Sequence, residues 1–424
     1  MTHASHEVDT AEASTGRLGC RFCGSPLETT FVDLGMSPLC QTHITSGQLG
    51  EMEPFYPLHA YVCQRCFLVQ LQGFVSSQAL FEEYAYFSSY STTWVEHARR
   101  YAKMAIDRFS LGRSSRVMEI ASNDGYLLQH FLPAGVPVLG IEPAANVAEA
   151  AVAKGIPTTT RFFGFETAGE IASEHGRPDL LIGNNVLAHV PDLNDFVAGM
   201  KRLLAPRGVI TMEFPHLVRL MAGNQFDTIY HEHFSYFSFG TVEKVFAHHG
   251  LAIFDVEELD THGGSLRIYA CHTDAAERPI GARVPALRQR EIDDGFTTLA
   301  RYRGFDEQVQ ATKRNLLAFL IEAKRDGRKV VGYGAPGKGN TLLNYCGIRT
   351  DFLDYTVDRN PYKHGRFTPG THIPIFPPDK ISETKPDYVL ILPWNVKDEI
   401  MSQMAHIRAW GGQFVVPIPR VTVY

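Results

Sequence analysis

Two CxxC pairs, Cys20 with Cys23 and Cys63 with Cys66, constrain the front of this chain more than any other feature. Each pair makes a tight knuckle that turns two thiolates to one side, and two knuckles supply four tetrahedral sulfur ligands. Zinc suits that set, and four thiolates leave no coordination position open for chemistry. The expectation is a structural zinc in a ribbon-like module over residues 17–80, with short strands at Thr29 to Leu34 and Tyr61 to Leu71. A redox CxxC would stand as one pair at a strand-to-helix junction. Cys40, in SPLCQTH, is left over and reads as a small buried residue. Seven cysteines is an odd number for a disulfide framework and fits reduced thiols in the cytoplasm.

A chain of 424 residues exceeds one core, so two or three domains are expected. The opening MTHASHEVDTAEASTG lacks a signal peptide's apolar stretch, and residues 1–16 are expected to be a disordered tail. No run of eighteen apolar residues marks a membrane span. A net charge of −6 speaks against a general nucleic-acid binder. The oligomeric state is left open, a monomer included.

In the middle, RVMEI reads as a buried strand that runs into ASNDGYLLQHF, a turn and then a helix. Three more strands follow: VLGIEP, DLLIGNNV and GVITMEFP. Such strands form an open α/β sheet that binds ligands beyond their carboxyl ends. There the sequence sets Glu119, Ser122, Asn123, Asp124 and Gly125, then Glu142, then Asn184, Asn185 and His189, then Glu213. Glu142 is placed to take both hydroxyls of a ribose. The loop EIASNDG offers carboxylate and amide where a dinucleotide's pyrophosphate needs glycine. S-adenosylmethionine (SAM) has a zwitterionic tail, a ribose and an adenine, but no phosphate. The pattern resembles the class I SAM-dependent methyltransferases, whose fold is Rossmann-like, and the domain is expected over residues 81–278.

The segment IYHEHFSYF crowds Tyr230, His231, Glu232, His233 and Tyr236 together. A zinc protease needs HExxH, and HEH does not fit it. The histidines are two residues apart, so they share a face in a strand and diverge in a helix. Clustered acid–base groups downstream of a donor strand point to catalysis.

Taken together, the zinc knuckles, FEEYAYFSSYSTTW, EIASNDG, NNVLAHVPDL, MEFPH, YHEHFSY, HGGSLRIY and GYGAPGKGNTLLNY occur in one order. The chain resembles, over residues 18–424, the nucleotide-sugar C-methyltransferases that act on C3 of TDP-linked 4-keto deoxysugars in bacterial antibiotic pathways. The resemblance implies a base at His233, a supporting acid at Glu232 and assisting tyrosines at Tyr230 and Tyr84. A histidine with an ordinary pKa of about 6.5 suits removal of a proton beside a ketone. A tyrosine hydroxyl suits stabilisation of the enolate.

From Ala282 to Arg325 the chain is charged and helical, and KVVGYGAPGKGN then opens a second α/β unit, expected over 279–424. Its strands read as KVVGYG, DYTVDRN, YVLILPW and QFVVPIP. Gly332, Gly334 and Gly337 satisfy GxGxxG, and Asp358 ends the next strand. By itself this is an NAD fingerprint, which makes a nucleotide-sugar oxidoreductase the rival reading, although Pro336 removes a backbone donor. The resemblance implies instead that Lys338, Asn340, Asp358, Asn360 and Lys363 serve a small-molecule nucleotide-sugar substrate. A related sugar O- or N-methyltransferase is the other enzyme alternative. A zinc-ribbon scaffold that binds nucleotides without turning over SAM is the non-enzyme one.

Overall fold

The computed structural model describes residues 18–76, 87–275 and 278–424. The expected tail at 1–16 and Tyr84 lie outside the described residues.

At the front the two knuckles repeat one turn. Gly24 N donates to Cys20 O and Phe67 N to Cys63 O, each at 2.9 Å. Both closing residues are left-handed, Gly24 at φ 71° and Phe67 at φ 65°. That conformation costs a non-glycine residue roughly 1–2 kcal/mol. Stacking of Phe67 on Tyr302, with centroids 5.9 Å apart, offsets it. Three strands come with the knuckles: β1 (Thr29–Ser37), β2 (Tyr56–Val62) and β3 (Val69–Leu71). Along β2 the alternate residues Leu58, Ala60 and Val62 are buried, the period a half-buried strand requires.

The middle of the chain adds β4 (Val117–Ile120), β5 (Val138–Ile141), β6 (Thr158–Thr159), β7 (Leu180–Asn184), β8 (Val209–Pro215), β9 (Ser235–Tyr236), β10 (Leu251–Leu259) and β11 (Ser265–His272). The central sheet runs β10-β11-β8-β7-β4-β5-β6. Its five strands from β8 to β6 are parallel, and β10 and β11 close one edge antiparallel. The order turns back at β4, so the crevice opens beyond β4, β5 and β7. The four strands read from the sequence are β4, β5, β7 and β8.

Strand β9 leaves this sheet. It pairs with β3, Val69 opposite Tyr236 and Gln70 opposite Ser235, and completes the front sheet β1-β2-β3-β9. The YHEHFSY segment is therefore fixed by the zinc module, across the domain border that the sequence suggests.

The last unit contains β12 (Val330–Tyr333), β13 (Thr356–Val357), β14 (Ile375–Phe376), β15 (Tyr388–Ile391), β16 (Gln413–Val416) and β17 (Thr422–Val423). Its sheet, β14-β13-β12-β15-β16-β17, is parallel except at β17. Helices Arg283–Asp293, Leu299–Arg303 and Phe305–Arg325 supply the charged helical stretch that precedes it.

Both large cores pass through the zinc module. Cys20, Cys63, Cys66 and Leu68 pack with Phe239, Val242 and Phe246 of the central domain. Phe31, Val32 and Leu58 pack with Leu316 and Leu320 of the long helix and with Leu342 and Leu343 of helix Gly337–Cys346. The small front module is thus the wedge between two larger sheets. Among the described residues no helix is long and apolar enough to cross a membrane.

Candidate active site

The four cysteine sulfurs lie within 4.8 Å of one another. Cys20 and Cys66 are 3.6 Å apart at Sγ, and Cys23 and Cys63 are 3.5 Å apart. Sulfurs at the ~2.3 Å Zn–S distance on a tetrahedron stand ~3.8 Å apart, so the set needs only a slight expansion to hold zinc. Gln70 Nε2 donates to Cys20 Sγ at 3.2 Å and Arg65 N to Cys63 Sγ at 3.4 Å, the outer support that thiolate ligands take.

Beyond the carboxyl ends of β4, β5 and β7 lies a cavity of about 350 Å³. Asn123, Glu142, Asn185 and His189 stand on its wall. Glu142 is fixed as an acceptor, from Asn123 N at 2.9 Å and Ala144 N at 3.0 Å. Burial holds its carboxyl above the usual range despite those two bonds. Glu119, Ser122, Asp124 and Gly125 stand behind the wall. Neither carboxyl oxygen of fully buried Glu119 has a partner among the described residues, and desolvation, then Glu142 and Asp124, push its pKa well up. Asp124 pairs with Lys154 Nζ at 2.8 Å, and Ser89 Oγ also donates to it. Ser88 N donates to Asn123 Oδ1 at 2.8 Å, so the chain entering helix Thr92–Phe109 is tied to this loop. Glu213 faces away into an ion cluster with His97 at 2.9 Å and with Arg267.

Four non-glycine wall residues take left-handed backbone: Ala121 at φ 55°, Asn123 at 50°, Asn185 at 54° and His262 at 54°. Strain of this kind gathers where side chains are held for a ligand.

The same cavity is lined by Tyr230, Glu232 and His233. His233 Nδ1 lies 2.8 Å from Thr228 O. A carbonyl only accepts, so Nδ1 carries the proton and Nε2 keeps its lone pair. Tyr230 lies over the imidazole, centroids 4.0 Å apart, and His189 meets it edge-on at 4.6 Å. Desolvation, then His189, hold His233 well below its ordinary pKa, so it is neutral at pH 7. Glu232 does not orient that ring. Its Oε1 faces Cys40 Sγ at 3.9 Å, and burial lifts its carboxyl to about 7. His231 points elsewhere, with Nε2 3.2 Å from Pro57 O and its ring against Tyr56.

Of the residues expected to meet the substrate from the last domain, Lys338 reaches the cavity. Its Nζ donates to Asn395 Oδ1 at 2.9 Å and lies over Trp394. Asn340 Nδ2 donates to Cys40 O at 2.7 Å. Asp358 accepts from Ala335 N and Asn360 N, each at 2.8 Å, and pairs with Lys363 at 3.3 Å. Asn360 caps the turn at Tyr362 N. These four hold the glycine-rich loop rather than the cavity wall. That loop is also covered: a Cβ built on Gly337 would stand 2.9 Å from Cys40 Sγ and 3.1 Å from Gln41 Nε2. The approach that a dinucleotide pyrophosphate would need at the third glycine is taken by protein.

Family models match the chain in three consecutive pieces: a zinc-binding domain at residues 20–81, a methyltransferase domain at 94–256 and a C-methyltransferase C-terminal domain at 260–419. C-methyltransferase NovU of Streptomyces niveus is 36% identical over 407 residues, 95% of this chain and 96% of its own. The chain belongs to the C-methyltransferase family. Solved structures that match it include magnesium protoporphyrin IX methyltransferase from Synechocystis PCC 6803 with bound SAM, at 12% identity, TM-score 0.35, 48% of this chain and 100% of that one. Another is the PH0226 protein from Pyrococcus horikoshii OT3, at 15% identity, TM-score 0.37, 47% of this chain and 100% of that one.

A C-methyltransferase built on this sheet takes its methyl group from SAM, and the crevice offers matching donors and acceptors. Both polar side-chain atoms of buried Asn184 lack a partner among the described residues, and Asn184 lines the cavity, where an adenine or ribose would satisfy them. His262, Trp94 and Gln41 line this C-methyltransferase's cavity without having been singled out as site residues from the sequence. His262 is on the β10–β11 hairpin, 3.4 Å from Asn185 and 4.8 Å between ring centroids from Trp94. The sequence shows HGGSLRIY only as one motif of the resemblance, with no sign of where His262 faces.

Proposed function

We propose that this C-methyltransferase methylates C3 of a TDP-linked 4-keto-deoxysugar through an enolate, in cytoplasmic deoxysugar biosynthesis of the antibiotic type. The observation that carries the reading is His233, a neutral imidazole whose acceptor nitrogen bonds no group among the described residues and whose ring lines the same cavity as Asn123 and Glu142. Glu142 and Asn184 hold the donor's ribose and base, and Asn123 its amino-acid end. The donor, when bound, supplies an electrophilic methyl on a sulfonium. His233 Nε2 takes the C3 proton, and the electron pair passes to the C4 oxygen. Tyr230 and the protonated fraction of Glu232 give that oxyanion its hydrogen bonds, a role their place in the cavity lining supports. The C3 carbon then bonds the methyl group, and the S–C electron pair returns to sulfur. The shared cavity keeps the partners close and aligned. Lys338 meets the negative charge of the nucleotide.

The test is SAM turnover against a panel of TDP-4-keto sugars, with C3–H exchange into deuterated water measured without donor. Methylated carbon together with donor-independent exchange is expected. Turnover without exchange would indicate O- or N-methylation and sink the carbon route.

The pH profile follows from the electrostatics. His233 is held below its ordinary 6.5, so the active neutral form persists as pH falls through that value. The acid limb of kcat/KM is expected below pH 6.5, because that parameter reports the free enzyme's base. A limb centred above 6.5 would assign the base to another group.

A further inference from the structure

Residues 38–45, between β1 and β2, run from the zinc module to the cavity, where Gln41 is part of the lining. The arm is pinned on both flanks. Asn340 donates to Cys40 O at 2.7 Å, and Cys40 Sγ reaches Glu232 at 3.9 Å. Three residues on, His43 Nε2 lies 3.1 Å from Ala335 O, and Ile44 N donates to Phe367 O at 3.0 Å. Between these anchors Gln41 is exposed at the cavity wall, which it shares with Tyr230, Glu232, His233 and Lys338. Its side-chain amide hydrogen-bonds no protein group among the described residues. A fixed backbone that presents an unspent amide to a reaction cavity has the build of a recognition side chain.

We infer that Gln41 is an acceptor-binding residue, contributed by the zinc module, that reads a ring hydroxyl of the sugar. This rests on the proposed reaction and names a specificity contact for it. A primary amide offers a donor and an acceptor together, and a hydroxyl answers both. A phosphate only accepts and would leave the amide oxygen facing like charge. A cation would be drawn to Glu232 instead. The zinc module thereby does more than brace the fold: it sets which sugar is accepted.

The test uses the zinc-loaded full chain and acceptors from which single ring hydroxyls have been removed in turn. For Gln41→Ala, KM for the fully hydroxylated acceptor should rise about 2- to 10-fold, the range of one neutral hydrogen bond. One deoxy analogue should show no difference between variant and wild type, since the contact is already missing. The kcat, the SAM dissociation constant and the melting temperature should stay as in wild type. Gln41→Glu, which loses the amide donor at unchanged size, should lose the same discrimination. Equal KM changes for every sugar, or none, would overturn the inference while wild-type turnover leaves the reaction standing. Absence of wild-type turnover on all of these sugars would overturn both.

Discussion

His233→Ala is expected to lose turnover by about 10²- to 10⁴-fold, the contribution of a positioned general base, while binding SAM as wild type does. The imidazole is held by one bond to Thr228 O and by Tyr230 and His189 packed on its ring, and none of these belongs to the donor loop. Removing it should leave Glu142 and Asn123 in place. The decisive measurement is C3–H exchange with solvent in the absence of donor, which isolates proton removal from methyl transfer. The variant should exchange slower by the same factor. His231→Ala is the matched control, because His231 is turned to Pro57 O and away from the cavity wall. If His233→Ala exchanges as fast as wild type, another group takes the proton, with Tyr230 or His189 next in line by position.

What could be read in the sequence was what local pattern encodes. Two CxxC knuckles, four strands of the central sheet and the EIASNDG turn are short-range signals, and the structure builds each where it was read. The loop's inner half was not separable from its outer half: Asn123 reaches the cavity, while Asp124 one residue on is held by Lys154. Orientation at that scale is decided by packing partners, not by composition. The last domain shows the limit more sharply. GxGxxG specifies a tight glycine turn but not what fills it, and here the filling comes from Cys40 and Gln41. The bond from Asn340 to Cys40 joins residues 300 apart in sequence. His262 was hidden for the same reason, since only the folded β10–β11 hairpin brings it to Asn185. That β9 belongs to the zinc module's sheet was likewise invisible, because two residues carry no periodicity.

The same pairing makes the zinc site's loss the largest stability effect to expect. Cys63→Ser should lower soluble yield and melting temperature sharply, with zinc lost from the chain. Structural zinc sites contribute apparent binding energies of about 10–16 kcal/mol in small zinc domains, against whole-protein stabilities of about 5–15 kcal/mol. Losing one thiolate of four removes much of that coupling. The damage cannot stay local, since Cys20, Cys63 and Cys66 are core residues packed on Phe239 and Phe246 of the central domain. From the knuckle, β3 carries the disturbance to β9, two residues past His233. Any folded fraction should therefore lose C3–H exchange before it loses SAM binding, because the donor loop hangs on β4 and β5 instead. Metal content, calorimetric melting and donor affinity measured on one preparation decide it. A variant that melts like wild type, and binds SAM like it, yet has lost zinc and turnover together would show the ion to be catalytic. The closed four-sulfur geometry argues against that outcome, since it leaves no position for substrate or water.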